Sequence, residues 1–178
     1  MMDRGKQLVS MIFACDKAGG IGFKNGLPWP HISEDLQHFK RITEDNVVVM
    51  GSNTWNSLGG LAPLKGRINY VITANDLSNF AGAFDCYDYT QYTMENIITA
   101  IDFRHPGKET IIIGGKKIYD EAYKYCSTIY MTRIMDTYKC DTVVDVDMYL
   151  DNFACRSTRA EIGNQHKPSI SIERWERT

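Results

Sequence analysis

Long apolar segments are missing from this chain. The longest purely apolar runs are short, such as residues 11–15 and 47–50. A helix needs about 20 apolar residues to cross a bilayer, so we expect no membrane-spanning segment. We also expect no secretion signal at the N-terminus, because the apolar run of residues 8–15 leads into Asp16 and Lys17 without a small-residue cleavage site. The sequence therefore predicts a cytoplasmic protein.

An excess of either charge is missing as well. The 178 residues include 20 Lys and Arg against 22 Asp and Glu, which gives a net charge of −2. Proteins that bind nucleic acid usually carry a basic excess, so we expect no nucleic-acid partner. Apolar residues make up 43% of the chain, too many for a disordered protein. Length and composition together predict a single domain over residues 1–178.

Paired cysteines and clusters of metal-ligating residues are absent too. The cysteines are odd in number and none forms a C-x-x-C pair, which argues against a disulfide framework and against a zinc site. The four histidines are scattered along the chain. We expect reduced thiols and no metal site. The cysteines are Cys15, Cys86, Cys126, Cys140 and Cys155.

Short apolar runs are present, and they alternate with amphipathic and glycine-rich segments. This alternation predicts an α/β fold with a mostly parallel central sheet and helices on both faces. Residues 169–175 alternate polar and apolar side chains, which predicts an antiparallel strand at one edge. Residues 16–30, rich in glycine and proline, predict a long irregular loop. Strands are predicted over residues 8–15, 47–50, 68–73, 86–89, 110–113 and 129–134, and helices from Ser33, from Gly51, from Thr93 to 101 and from Gly114 to 123.

The helix that begins at Ser33 carries Asp35 in its first turn. Ser33 has the hydroxyl typical of an N-cap. One interpretation of Asp35 is a surface carboxylate that favours the helix N-terminus. The other is an anion in an apolar pocket that holds a cationic or amidine-like ring by paired hydrogen bonds, and the residues alone leave both open. The side chains predicted to form the buried stripe of this helix are Leu36, Phe39 and either Ile42 or Thr43.

Two predicted strand ends carry turns suited to phosphate. Gly114 and Gly115 lead into a helix whose N–H groups and dipole attract an anion, and Lys116 and Lys117 add positive charge. Residues 51–54 repeat this arrangement with hydroxyl groups. Such glycines can also serve only the close packing of a helix on a sheet. Together the two turns indicate a ligand with separated phosphates, such as a dinucleotide, in a fold without the common six-residue glycine fingerprint.

An ordered set of motifs resembles the dihydrofolate reductase family. The set spans about residues 8–142, and residues 169–177 are also similar in pattern. Asp35 stands six residues past the tryptophan of the third motif. The motifs are Ile-Phe-Ala at 12–14, Gly-Ile-Gly at 20–22, Leu-Pro-Trp at 27–29, Phe39, Met-Gly at 50–51, Thr-Trp at 54–55, Pro-Leu-Lys-Gly-Arg-Ile-Asn at 63–69, Ile-Gly-Gly at 113–115, Ile-Tyr at 118–119 and Tyr-Met-Thr at 130–132.

The resemblance implies that Asp35 is the ionisable side chain of a pterin pocket. It would accept hydrogen bonds from the ring amidine and favour protonation of N5, which makes C6 an acceptor for hydride. Thr132 would hydrogen-bond Asp35 and the pterin, and Arg67 would bind the glutamate α-carboxylate with its planar guanidinium. Leu27 and Trp29 complete the implied catalytic positions. The remaining implied substrate-binding positions are Ile12, Leu36, Phe39, Lys40, Leu58, Leu64 and Ile113.

The same resemblance implies a site for NADPH. Residues 20–27 would form a mobile loop that closes over the reaction centre and excludes water. Tyr119 matches a position beside the nicotinamide ring. The implied cofactor-binding positions are Ala14, Ile21, Gly22, Gly51, Ser52, Asn53, Thr54, Thr73, Ala74, Ile113, Gly114, Gly115, Lys116, Lys117, Ile118 and Tyr119.

Three departures from the family pattern bear on the cofactor and on the loop. Ser52 and Asn53 stand where the family usually has a basic residue for the 2′-phosphate of NADPH, and Thr-Ala at 73–74 stands where Ser or Arg is frequent. We expect Lys117 to supply the missing charge. Cys140 replaces a frequent glycine, which bears on loop motion rather than on the reaction.

The sequence thus predicts a monomeric enzyme of one-carbon metabolism. It would reduce 7,8-dihydrofolate to 5,6,7,8-tetrahydrofolate with NADPH, and antifolates are among the ligands that the resemblance implies. One alternative is the related pyrimidine reductase of riboflavin synthesis, which has no reason to carry an acid at Asp35 or a carboxylate clamp at Arg67. Another is a non-catalytic protein that binds pterin or dinucleotide, which the acid and the Gly114-Gly115 turn disfavour.

Overall fold

Strands and helices alternate along most of the chain in a computed structural model that describes residues 7–74 and 77–178. The strands are β1 (Val9–Cys15), β2 (Gly20–Gly22), β3 (Val47–Gly51), β4 (Ile68–Ile72), β5 (Asp85–Tyr87), β6 (Thr110–Gly114), β7 (Thr128–Ile134), β8 (Thr142–Val143), β9 (Phe153–Glu161) and β10 (Ile170–Arg177). The helices are α1 (Ser33–Thr43), α2 (Ser52–Leu58), α3 (Met94–Arg104), α4 (Lys116–Ala122) and α5 (Val146–Leu150). Short 3-10 turns occupy Gly59–Leu61, Leu77–Asn79 and Tyr123–Tyr125.

The main sheet of the described residues has eight strands in the order β5-β4-β3-β6-β1-β7-β10-β9. Neighbouring strands from β5 to β7 run parallel. Strand β10 runs antiparallel to both β7 and β9. The predicted α/β fold class, a mostly parallel sheet with an antiparallel edge, is therefore confirmed. A small second sheet pairs β2 with β8.

The central strands are buried on both faces, which explains why their sequences are continuously apolar. Every residue of β3 and of β6 is buried. Alternate side chains of β1 serve opposite faces of the sheet. Met11 and Phe13 join an apolar cluster with α3 and α4, whereas Ile12 joins a second cluster with α2 and with side chains of α1. No helix in the described ranges is long and apolar enough to span a bilayer.

The start of α1 differs from its prediction. Ile32, rather than Ser33, is the extended residue before the helix, with φ −120° and ψ 100°. The Ser33 hydroxyl donates to the Glu34 carboxylate and does not cap the backbone. The prediction of Ser33 as the N-cap was therefore wrong by one residue.

The buried side of α1 also differs from its prediction. His38 and Thr43 are buried, whereas Leu36 is 41% exposed. Phe39 and Ile42 are half-buried and pack against the second apolar cluster. The prediction that Leu36 belongs to the buried stripe was thus wrong. The helix has two different neighbours, because His38 packs toward the antiparallel edge while Phe39 faces the parallel strands.

Other differences concern short or polar elements. Residues 16–30, predicted as an irregular loop, contain β2. Strand β9 and helix α5 were not predicted, and β9 is exposed along most of its length. Helix α3 begins where predicted, because the Thr93 side chain accepts a hydrogen bond from the Asn96 N–H, but it extends to Arg104.

Candidate active site

Asp35 lies in the first turn of α1, and the hydroxyl of Thr132 on β7 is near enough to lower the pKa of its carboxyl. Burial raises the pKa of the half-buried Asp35 carboxyl, and the Thr132 hydroxyl offsets only part of that shift. The charge of Asp35 also reaches Tyr119, whose pKa is raised first by complete burial and then by this charge. A half-buried carboxylate with the Thr132 hydroxyl nearby can bind a protonated or amidine-like ring.

Five predicted substrate-binding residues belong to one apolar cluster. Two of them project from the neighbouring strands β1 and β6, one reaches the cluster from α1, and two come from α2 and the segment that follows it. They are Ile12, Phe39, Leu58, Leu64 and Ile113. The structure does not bring the exposed side chains of Leu36 and Lys40 into this cluster. The cluster supplies a wall for planar rings next to Asp35.

Trp29 is fixed by packing just before α1. It is 6% exposed and belongs to a separate cluster with Ile32. Its ring meets that of Tyr138 edge to face, with 6.1 Å between the ring centroids. Leu27, two residues earlier, is 57% exposed. The two predicted catalytic positions of this loop therefore differ, since one is anchored and the other is open to solvent.

Arg67 lies in a turn that a buried asparagine holds in shape. The side-chain amide of Asn69 accepts from the Leu64 N–H and donates to the Leu64 carbonyl, both at 2.9 Å. Arg67 donates to the Lys65 carbonyl at 2.6 Å, but its buried Nε has no partner among the described residues. Burial lowers the pKa of Arg67, and the charge of Glu44 opposes that shift. Its remaining N–H donors suit a carboxylate.

Asp16 ties the loop before α1 to the second sheet. Its carboxylate accepts hydrogen bonds from the backbone N–H groups of Ala18, Gly20 and Tyr138, at 2.8 to 2.9 Å. Burial alone would raise the pKa of Asp16, but these bonds outweigh it and lower the pKa. Cys140 packs so closely that a Cβ added at Gly20 would lie 2.3 Å from its Sγ. The strand pair β2–β8 therefore needs glycine at position 20.

Two helices begin side by side at the ends of neighbouring strands. Helix α2 follows Gly51, α4 follows Gly115, and neither start has a side-chain cap. In contrast, α3 and α5 are capped by the side chains of Thr93 and Asp145. The backbone N–H groups at the starts of α2 and α4 are thus available to an anion.

The glycine turn between β6 and α4 brings the two helix starts together. The peptide bond between Gly114 and Gly115 is cis, and Gly114 has a φ of 114°. A Cβ added at Gly114 would lie 3.0 Å from the Tyr119 hydroxyl, and one added at Gly115 would lie 3.6 Å from Thr54 Oγ1. The predicted phosphate contacts Thr54 and Gly115 are therefore neighbours.

The two lysines of α4 have different partners. Lys117 Nζ lies 3.4 Å from the centroid of the Tyr89 ring, whereas Lys116 pairs with Asp120 at 2.7 Å. The first turn of α2 presents the neutral side chains of Ser52 and Asn53. The other predicted cofactor residues lie at strand ends, in β2 or at the start of α4: Ala14 in β1, Ile21 and Gly22 in β2, Thr73 and Ala74 after β4, Ile113 in β6, and Ile118 in α4.

Comparison with known proteins bears on the family of the chain. The sequence model described as dihydrofolate reductase matches residues 8–177. The chain is 33% identical over 134 residues to the dihydrofolate reductase of Bacillus subtilis (strain 168), which covers 75% of the chain and 73% of that protein. The chain belongs to the dihydrofolate reductase family.

Two further relatives agree with this assignment. A solved structure, the dihydrofolate reductase from Enterococcus faecalis complexed with NADP(H) and RAB-propyl, aligns with a TM-score of 0.81 and 26% identity over 96% of each chain. The bifunctional dihydrofolate reductase-thymidylate synthase of Paramecium tetraurelia is 36% identical over 144 residues, which is 79% of this chain but 29% of that protein. The predicted family is confirmed, and the predicted activity is supported over the two alternatives.

The sequence analysis assigned no role to two residues of the candidate site, although Asn69 ends one of the family motifs. Asn69 shapes the turn that presents Arg67, and Tyr89 holds Lys117. A polar residue at the start of an apolar strand was the available signal for Asn69, because such an asparagine must find partners once buried. No sequence signal pointed to Tyr89, whose contact joins segments far apart in the chain.

Proposed function

We propose that this dihydrofolate reductase reduces 7,8-dihydrofolate to 5,6,7,8-tetrahydrofolate with NADPH, and that Asp35 binds and activates the pterin. The position of Asp35 is the observation that carries this assignment. The carboxyl is half-buried, the Thr132 hydroxyl partly offsets the effect of burial on its pKa, and its charge raises the pKa of Tyr119. Burial makes its negative charge unfavourable without a ligand, so a cationic or amidine-like ring regains part of that free energy.

Asp35 acts on the substrate through charge and hydrogen bonds. Its carboxylate accepts from the N–H groups of the ring amidine, and its charge favours a proton at N5. The hydroxyl of Thr132 orients the carboxylate. Protonation at N5 leaves C6 electron-poor, and NADPH, when bound, supplies the hydride that adds at C6. One proton and one hydride together complete the reduction.

The apolar cluster and Arg67 hold the two ends of the substrate. Ile12, Phe39 and Leu58 pack on the rings and exclude water, which strengthens the attraction between Asp35 and a protonated ring. Arg67 binds the glutamate α-carboxylate, for which its remaining N–H donors and the rigid Asn69 turn suit it.

The paired helix starts fit the phosphates of NADPH. The uncapped N–H groups of α2 and α4 donate to the phosphate oxygens, with Thr54 beside Gly115. Lys117 supplies the charge for the 2′-phosphate, since Ser52 and Asn53 are neutral. The Tyr119 hydroxyl donates to the Ile12 carbonyl at 2.7 Å. This bond fixes the cofactor-binding part of the site relative to the substrate-binding part.

We also propose that the enzyme is a cytoplasmic monomer. Its five cysteines are free thiols, as is usual in the reducing cytosol. Light scattering after size exclusion should give a mass near 20.3 kDa, and a mass twice as large would contradict the monomer.

A substrate comparison tests the proposed reaction. The purified protein and NADPH are mixed with dihydrofolate or with the aminopyrimidine substrate of riboflavin synthesis, and the loss of nicotinamide absorbance is followed. We expect rapid consumption of NADPH with dihydrofolate alone. Consumption of NADPH with the aminopyrimidine alone would show that the protein is the related reductase. Tight binding of NADPH without turnover would show that the protein binds the cofactor but does not catalyse the reaction.

A further inference from the structure

A separate cavity of about 210 Å³ lies between α1 and the antiparallel edge of the sheet. It adjoins the second apolar cluster, against which its lining residues Ile42 and Tyr130 pack, but none of the predicted substrate-binding residues lines it. Helix α1 turns by about 100° per residue, so His38 and Arg41 lie to one side of Asp35 while Phe39 lies to the other. The polar side chains that line the cavity include His38, Arg41, Tyr130, Ser157, Arg159 and Arg174.

The strand register builds the floor of this cavity. Arg174 on β10 pairs with Tyr130 on β7 and with Ser157 on β9. Two residues earlier, Ile172 pairs with Arg159 on β9. Directly paired residues share a face of a sheet, and residues two apart on a strand do so as well. Two arginines, a phenol and a hydroxyl group are therefore presented together beneath α1.

Helix α1 adds further donors from above. The Arg41 guanidinium contacts His38 Nδ1 at 3.2 Å and can only donate, so the neutral ring carries its proton on Nε2. That Nε2 is buried and has no partner among the described residues. Burial first, and then the charges of Arg41 and Arg159, lower the pKa of His38 to about 4. The ring is thus neutral at pH 7 in strongly positive surroundings.

Glu173 is also part of the lining, but its charge is engaged on the other face of β10. Its carboxylate accepts hydrogen bonds from Ser171 and Trp175, both two residues away on the same strand, and from Arg133. Residues two apart share a face, so this carboxylate points away from Arg174.

The remaining acidic neighbours compensate the arginines only in part. Arg159 pairs with Glu161 at 3.3 Å, and Arg174 pairs with Glu176 at 2.6 Å, with both arginines about half exposed. Exposed pairs of this kind are weak and exchange readily. Within the described part of the chain, no carboxylate lies within ion-pair distance of Arg41.

We propose that this cavity binds a phosphate group. Phosphate offers several acceptor oxygens and up to two negative charges to guanidinium and hydroxyl groups that can donate. The cavity is several times the roughly 30 Å³ that a water molecule occupies in the liquid, so the ion fits. A bound phosphate would link α1, the helix that carries Asp35, to β9 and β10.

Isothermal titration calorimetry tests the site in the enzyme saturated with NADPH, so that the cofactor's phosphate contacts are filled. Inorganic phosphate is titrated in one arm and glycerol 3-phosphate in the other, against chloride at equal ionic strength. Arg41→Gln and Arg159→Gln remove charge from the cavity. Arg156→Gln removes the same charge from β9 at a residue that pairs with Glu176 outside the cavity lining.

We expect saturable binding by the parental enzyme and by Arg156→Gln, weakened about tenfold or more by each cavity variant. All the variants should keep parental turnover of dihydrofolate, which shows that they fold. Binding of inorganic phosphate alone would identify the free ion, and tighter binding of glycerol 3-phosphate would identify a phosphomonoester. Absence of binding in both arms, or an equal loss in Arg156→Gln, would overturn the proposal.

Discussion

Single residues of the site are held in charge states that burial disfavours. Burial raises the pKa of Asp35 and lowers that of Arg67. Neither shift is fully offset by a neighbour, since Thr132 compensates Asp35 in part and Glu44 compensates Arg67 in part. A substrate with a basic ring at one end and a carboxylate at the other complements both groups. Under the proposed function, the substrate is recognised because it relieves the unfavourable burial of these two charged groups.

Arg67→Leu should weaken the binding of substrates that carry a glutamate tail. A guanidinium–carboxylate contact contributes about 1.5–3 kcal/mol, so the KM for dihydrofolate should rise roughly ten- to a hundredfold. Steady-state kinetics measures this change. A dihydropteroate substrate, which lacks the glutamate, is the matched control and should lose little. Equal losses for the two substrates would show that Arg67 only supports the fold.

Lys117→Ala should remove most of the preference for NADPH over NADH. With Ser52 and Asn53 neutral, one charged contact worth about 1.5–3 kcal/mol predicts a parental preference of roughly ten- to a hundredfold. The NADH rate should stay nearly unchanged, and Ser52→Arg should widen the preference. The ratio of the two specificity constants in the three proteins is the measurement. A parental enzyme without preference, or a variant with an unaltered ratio, would contradict the role of Lys117.

At the scale of elements, burial decided what the sequence could predict. Strands β3 and β6 were predictable because burial on both faces leaves continuous apolar runs. Strand β9 was missed because it is exposed along most of its length, so its sequence lacks the period-two pattern. Strand β2 has three residues, too few for any pattern. The influence of Thr132 on Asp35 links segments that are distant in the sequence, and only the family resemblance indicated it.

Gly20→Ala should separate β2 from β8. The added Cβ would lie 2.3 Å from Cys140 Sγ and 2.9 Å from Cys140 Cβ, so the loop must move. The family resemblance implies that the loop of residues 20–27 closes over the reaction centre, so we expect turnover to fall more than the affinity for NADPH. Cys140→Gly removes both contacts and should rescue the double variant. Stopped-flow and steady-state rates for the four proteins of this cycle check the coupling, and additive losses without rescue would contradict it.

At the scale of the whole molecule, the buried charge of Asp35 lowers the stability of the folded protein. Burial raises the pKa of Asp35 in the folded protein, so the protonated carboxyl stabilises the fold below the pKa that Asp35 has in the unfolded chain. This stability is lost as the pH rises through the folded-state pKa. Asp35→Asn should therefore stabilise the ligand-free protein at neutral pH, by roughly 0.5–2 kcal/mol, with a gain that shrinks toward about pH 4. Denaturant unfolding at both pH values measures this gain, with the exposed Asp147→Asn as control. A loss of stability at neutral pH would contradict the account.

The central claim, that Asp35 activates the pterin by its charge, is tested most directly by the pH–rate profile of Asp35→Asn. Dihydrofolate-dependent oxidation of NADPH is measured from acid to neutral pH in the parental enzyme and in the variant. We predict that the variant loses roughly a hundredfold or more of its turnover at neutral pH, since an amide cannot stabilise a protonated N5. The loss should shrink as the pH falls, because the substrate then protonates without help. Near-parental turnover at neutral pH, or a loss that does not change with pH, would contradict the claim.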